Sequence, residues 1–130
     1  MEQGKTSMGL EPNIAGLLCY ALGWLSGLIF FFAEKDNKFV RFHALQSIIV
    51  SGCLTLFYII MSSIQSALFT AAWRTYGGGG ALLAFSGFIG LILTLFGLAT
   101  FALWVFLMYK AYQNETFKLP IAGNIAEKQA

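Results

Sequence analysis

Histidine occurs once in these 130 residues, cysteine twice and proline twice, and Asp, Glu, Lys and Arg together make up 11% of the chain. Each scarcity removes a class of function. A Cys/His metal centre needs three or four ligands at short spacing; Cys19 and Cys53 share no CxxC motif and His43 stands alone, so no metal is expected. Acid–base or nucleophilic catalysis needs paired carboxylates or a Ser/His/Asp set brought to one place. The ionisable residues here cluster at the ends of apolar runs, so no catalytic residue is assigned, no cofactor is expected and the chain reads as a non-enzyme. A net charge of +2, spread along the sequence, gives no footprint for nucleic acid.

A soluble domain is about 25% charged. With 58% hydrophobic residues and a mean hydropathy of +0.71, this composition belongs to the membrane class. Three charge-free runs carry it: Ile14–Ala33, Ala44–Trp73 and Gly77–Tyr109. Each reaches the roughly 20 residues that a helical span needs. Pro12 suits the first turn of a helix, and the tetraglycine Gly77–Gly80 terminates one. The expected architecture is all-α: a three-helix integral membrane bundle with helices near 13–33, 44–71 and 81–111. A flexible N-terminal tail covers 1–12, and residues 13–130 form a single membrane domain that ends in a tail from 112 to 130. Lys5 is offset by Glu2 and Glu11, and the first run ends in FFFAEKDNK, which argues against a cleaved signal peptide. The two cysteines fall at different depths of their helices, which predicts two buried free thiols rather than a disulfide.

Basic residues set the expected orientation. With three spans, Lys35, Lys38, Arg41, Lys110, Lys118 and Lys128 lie on one side and Lys5 and Arg74 on the other. That places the first loop and the C-terminus in the cytoplasm and the N-terminus outside, in a multi-pass protein of the inner (plasma) membrane. Trp73 and Tyr76 would then mark the outer interface, Tyr109 and Tyr112 the inner one. The sequon Asn114-Glu115-Thr116 would face the cytoplasm and stay unmodified.

In lipid, helices associate through close approach and interhelical hydrogen bonds. Gly16, Tyr20, Gly23 and Gly27 share one side of the first predicted helix, and Ser86, Gly90, Thr94 and Gly97 one side of the last. These are read as packing seams, within the bundle or between copies. The middle helix carries hydroxyls at helical spacing, Ser47, Ser51, Thr55, Tyr58, Ser62 and Ser66. Such a stripe either packs on the glycine seams with its hydroxyls turned back to the preceding turn or lines a polar path between helices. The turn EKDNKFVRFHALQS, residues 34–47, holds Glu34, Arg41, His43 and Gln46, a candidate polar cluster at the cytoplasmic mouth of that stripe. Its plain alternative is a set of basic topology determinants, paired with Glu34 or Asp36. In the C-terminal tail, Phe117, Leu119 and Ile121 alternate around Lys118, and Pro120 blocks the helix, which predicts a tail folded back to meet the charged turn.

FVRFHALQS (39–47) and FKLPIAGNIA (117–126), with an LGWLSGLIFFF helix ahead of them, resemble the MamF/MmsF family of small magnetosome membrane proteins. That family is grouped with the small channel-forming subunit of the chloroplast import translocon. The resemblance implies a three-helix membrane protein from a bacterial or archaeal inner membrane. The loop TAAWRTYGGGG lacks the acidic residues of the mineral-forming relatives, so a mineral role is not implied. The function expected is a structural or assembly component that self-associates or accompanies a larger membrane complex, with membrane lipid as its surroundings. The alternative is an oligomeric channel or transporter subunit that uses the hydroxyl stripe for a small solute or ion.

Overall fold

The computed structural model describes residues 6–130 apart from Met8 and Gly79, and of Tyr76 the backbone alone. Lys5, the Tyr76 ring and the Gly79 link of the tetraglycine therefore lie outside the described residues. Five helices account for the ordered structure: α1 Pro12–Ala21, α2 Trp24–Ala33, α3 Lys38–Tyr76, α4 Ala81–Tyr112 and α5 Ala122–Gln129, with no strand among the described residues. Two of them, α3 and α4, are long and apolar enough to cross a membrane.

The expected single helix over 13–33 does not form. The run breaks at Leu22-Gly23 into two ten-residue helices. Gly23 takes φ +65°, a left-handed conformation that residues with a Cβ rarely adopt and that suits a reversal. The two limbs turn back on each other. Phe30 and Phe31 of α2 pack against the cluster of Ala15, Cys19, Phe39, Val40 and Ala44, and Glu34, just after α2, accepts hydrogen bonds from the N and Oγ of Ser7, ahead of α1, at 2.7 and 2.8 Å. A straight helix over 13–33 would hold its ends about 30 Å apart. The expectation that the N-terminus lies opposite the first loop rested on that straight helix, and the hairpin removes its basis.

Helix α3 starts earlier than the predicted residue 44 because the charged turn is itself a helix start. Asn37 Oδ1 accepts from Val40 N at 3.2 Å, as an N-cap does, and Phe39, Val40 and Phe42 are buried. Helix α4 matches the predicted 81–111 to within one residue.

The chain divides into two compact units, one of residues up to Cys53 with Leu103–Ala130, the other of Leu54–Ala102. The first holds the hairpin, the N-terminal part of α3, the C-terminal part of α4 and the tail. Its glycines admit close approach: a Cβ on Gly27 would stand 2.9 Å from the Ala44 carbonyl oxygen, and one on Gly16 would stand 3.0 Å from the Phe39 ring. Pro120 and Ile121 (φ +69°) turn the tail into α5, whose Ala122, Gly123 and Ala126 are buried. In the second unit, parts of α3 and α4 pack through Phe57 on Phe96 (5.1 Å between ring centres) and Gln65 beside Gly90, while large apolar side chains such as Leu56, Ile59, Phe88, Leu95 and Leu98 are exposed. Cys19 is buried and Cys53 exposed, both as free thiols. The exposure of Cys53 departs from the expected pair of buried thiols.

Candidate functional site

The charged turn builds two constellations, not the one polar cluster expected of Glu34, Arg41, His43 and Gln46. In the first, the Glu34 carboxylate accepts from Ser7 and from the backbone N of Asp36 and Asn37 at 3.1 and 3.0 Å. Arg41 Nη1 donates to the carbonyls of Glu34 (2.8 Å) and Phe31 (3.2 Å), the free acceptors at the end of α2, and its guanidinium lies 4.3 Å from the centre of the Phe31 ring. Burial pushes the Glu34 carboxyl up, but the hydrogen bonds from Ser7, Asn37 and Asp36 outweigh it and hold the group below the usual carboxylate range. This constellation closes α2, starts α3 and ties both to the segment before α1.

The second lies inside the first unit and centres on a residue the sequence pattern assigned only to a seam, Tyr20. Gln46 Nε2 donates to Tyr20 Oη (2.9 Å) and to the Phe117 carbonyl (2.9 Å), and Gln46 Oε1 accepts from Leu119 N (3.0 Å). His43 Nε2 lies 3.0 Å from the Glu115 carbonyl, and Nδ1 lies 2.8 Å from Tyr20 Oη. A carbonyl only accepts, so Nε2 carries the proton; in the neutral imidazole Nδ1 then accepts from Tyr20, and the Tyr20 oxygen accepts from Gln46. The order of donors along Gln46–Tyr20–His43–Glu115 is thereby set. Around it the rings of Phe39, Phe42 and Tyr20 meet the imidazole edge-on with centres 4.5, 5.2 and 5.5 Å away. Among the described residues no buried side-chain nitrogen or oxygen lacks a partner, and no three His, Cys, Asp or Glu side chains gather as metal ligands would. Both His43 nitrogens are engaged. As a chemical device the network holds the tail against α1 and α3; it presents no free acid, base or nucleophile.

A third set of polar contacts surrounds the break in the hairpin. Ser26 Oγ accepts from Leu22 N (3.1 Å) and donates to the Cys19 carbonyl (3.0 Å). Ser47 Oγ donates to the Gly23 carbonyl (2.9 Å), and Trp104 Nε1 donates to the Tyr20 carbonyl. Ser26 and Trp104 carried no sequence signal for this work. A serine three residues past a glycine in an apolar run was the available cue.

The hydroxyl stripe does not act as a single line. Ser47 is buried and crosses to Gly23, while Ser51 turns back to the Ser47 carbonyl at 2.6 Å, close to Gly23. In the second unit Tyr58 Oη donates to the Leu93 carbonyl (3.3 Å) beside Gly97, and Ser62 turns back to Ile59 (3.1 Å). Thr55 and Tyr58 line a shallow recess of about 200 Å³ with Gly97 and Thr100, and Ser66 lines an open groove of about 550 Å³ with Thr70 and Arg74. Of the predicted packing residues, Ser86 is buried against the Gln65 carbonyl, and Gly16, Gly23, Gly27, Gly90 and Gly97 each face a side chain or backbone of a neighbouring helix.

Residues 6–126 match the model of a family described as the magnetosome magnetite crystal formation protein family, MamF/MmsF. The chain belongs to the MamF/MmsF family. Among relatives of this MamF/MmsF-family chain, a UPF0132 membrane protein of Methanocaldococcus jannaschii is 43% identical over 125 residues, covering 96% of this chain and 94% of the relative. A second from the same organism is 38% identical over 94% of this chain and 72% of its own length, and one from Archaeoglobus fulgidus is 37% identical over 92% and 96%. No solved structure matches. The relatives are named as membrane proteins, and none of their names carries a catalytic activity.

Proposed function

We propose that this protein is a structural or assembly element of the inner (plasma) membrane, a small multi-pass protein without catalysis that associates with its own copies or a larger membrane complex. The observation that supports this most is the closed donor order Gln46–Tyr20–His43–Glu115, which uses the chain's one histidine and its neighbours internally. No charged residue falls between Ala44 and Trp73 or between Gly77 and Tyr109, while the second unit leaves bulky apolar side chains outward, for lipid and for neighbouring proteins. The family description refers to magnetite crystal formation. Binding iron oxide calls for oxygen ligands from acidic side chains; residues 70–80 hold Arg74 and no acid, so that role is not carried over.

Transport is the second reading, favoured by the recess that brings Thr55, Tyr58 and Thr100 together. Cross-linking in native membranes followed by mild-detergent extraction tests the choice, alongside flux into vesicles reconstituted with the purified chain. An assembly element gives a cross-linked species larger than one chain and no ion or solute flux above empty vesicles. Flux that disappears on Thr55→Leu would overturn it in favour of transport.

A further inference from the structure

We propose that the α1–α2 hairpin is inserted into one leaflet only, from the face that carries Lys35 and Lys38, so that acyl chains of that leaflet cover its outer side and both chain ends remain on that face. The inference rests on the membrane reading above and adds the depth and side of entry. Its first support is length. Each limb has ten residues, about 15 Å of helix, half of the roughly 30 Å of hydrocarbon in a bilayer.

The second support is the gradient of polarity along the hairpin. At its tip and outer side stand Leu22, Trp24, Leu25, Ile29 and Phe32, exposed by 42 to 70%, and no residue from Pro12 to Ala33 is charged. At its base the exposed Ser7, Lys35, Asp36 and Lys38 stand around the buried Glu34, suited to water, and the lysines to anionic headgroups.

The third support is the tip itself. A break in a helix frees backbone donors and acceptors, and in hydrocarbon each unmet group costs several kcal/mol. A turn built for water needs no provision, since water supplies the bonds. This turn has one: Ser26 Oγ meets both Leu22 N and Cys19 O, and the Tyr20 and Gly23 carbonyls, which already accept from Gly23 N and Gly27 N, take further bonds from Trp104 and Ser47. A break supplied in this way is built for a place without water. The chain then crosses the bilayer twice, through α3 and α4. Of the seven basic residues among the described ones, Lys35, Lys38, Arg41, Lys110, Lys118 and Lys128 fall on the hairpin's side against Arg74 on the other, which makes that side the cytoplasm.

Labelling of one added cysteine at a time in the full chain in its membrane tests this, with the parent chain, which carries Cys19 and Cys53, as the blank. Glu11→Cys, Leu22→Cys, Thr75→Cys and Gln113→Cys are exposed positions. A membrane-impermeant maleimide should label Thr75→Cys in intact cells, and Glu11→Cys and Gln113→Cys in inverted vesicles alone. Leu22→Cys should react from neither side until detergent is added. Labelling of Glu11→Cys in intact cells would overturn the hairpin in favour of a third span. Labelling of Leu22→Cys in inverted vesicles without detergent would overturn insertion in favour of a surface-lying hairpin. An alkaline carbonate wash reads the underlying assumption separately: a chain that washes off sinks the membrane reading and this inference together, whereas one retained with Glu11→Cys outside sinks the hairpin alone.

Discussion

In the unit made of residues up to 53 and from 103 onward, polar side chains reach to other elements: Ser47 to Gly23, Trp104 to Tyr20, Gln46 to Phe117 and Leu119. In residues 54–102 most turn back on their own helix. Ser62 and Ser63 donate to Ile59, and Thr94 donates to Gly90; Tyr58 and Ser86 cross to the other helix, at the longer distances of 3.3 and 3.4 Å. The contrast follows from what each unit asks of its residues. Surrounded by hydrocarbon, apolar side chains gain little by touching each other instead of lipid, so helix contacts are specified by small residues and by hydrogen bonds with no other partner available. The first unit has broken helices and an irregular tail to hold, and so needs such bonds. The second consists of segments of α3 and α4 whose helical backbone is satisfied internally, and these need only to be long and apolar.

The largest loss should come from cutting the bonds that tie the tail. Gln46→Leu leaves Phe117 O and Leu119 N without their partners and takes a donor from Tyr20. At about 1–3 kcal/mol for each buried group left unsatisfied, the change should cost about 3 kcal/mol and free the tail. The readouts are the melting temperature in detergent and the rate of proteolysis near residues 113–121. Unchanged proteolysis would mean that the tail is held by α5 packing and not by the network.

Glycine substitutions sharpen the comparison at a smaller scale. Gly27→Ala sets a methyl 2.9 Å from the Ala44 carbonyl and from Ile48 Cγ1, and should cost about 1–3 kcal/mol as overpacking does. Gly87→Ala, in the second unit, meets nothing within 4 Å and should be neutral or stabilise by up to about 1 kcal/mol through helix propensity. Paired thermal melts of the two variants report the sign difference directly.

Glu34 provides a pH test of the first unit. Its folded-state carboxyl lies below the ordinary value, so its contribution is fully present above the unfolded carboxylate pKa and is lost as pH falls through the folded one. The melting-temperature gap between the parent chain and Glu34→Gln should therefore be widest near neutrality and close on acidification. A gap that widened in acid would contradict the hydrogen-bond account.

The same contrast explains what was legible beforehand. Long apolar runs, a tetraglycine and basic flanks declare α3 and α4, because length and hydropathy are all those helices require. The break at Gly23 hides in a run whose hydropathy never falls, since hydropathy does not register a left-handed φ, and Ser26 looks like any small membrane-helix residue. Tyr20 was visible as a member of a glycine seam but not as the hub between Gln46 and His43. That role depends on α1 setting Tyr20 against α3 residues more than twenty positions away, which no local spacing encodes, whereas the tail's return to the charged turn, where Gln46 meets the Phe117 carbonyl, was written in the alternation around Lys118 and in Pro120. The glycine seams were legible because close approach is written into the residue itself.

The smallest effect, and the sharpest on function, concerns Ser62. Its hydroxyl bonds the Ile59 carbonyl one turn back, on a half-exposed stretch of α3, where neither neighbour depends on it. Ser62→Ala should then shift stability by no more than about 0.5 kcal/mol and leave the cross-linking pattern unchanged, while Ser47→Ala, which removes a buried bond between α3 and the hairpin tip although Gly27 N and Ser26 Oγ still donate to the Gly23 carbonyl, should destabilise by about 1 kcal/mol. Two serines on one helical stripe would thus differ in consequence. If instead both were equally sensitive, and sensitive in a flux assay rather than in melting, the stripe would have to be treated as one continuous lining, and the division between a hydrogen-bonded unit and a lipid-facing one would fail with it.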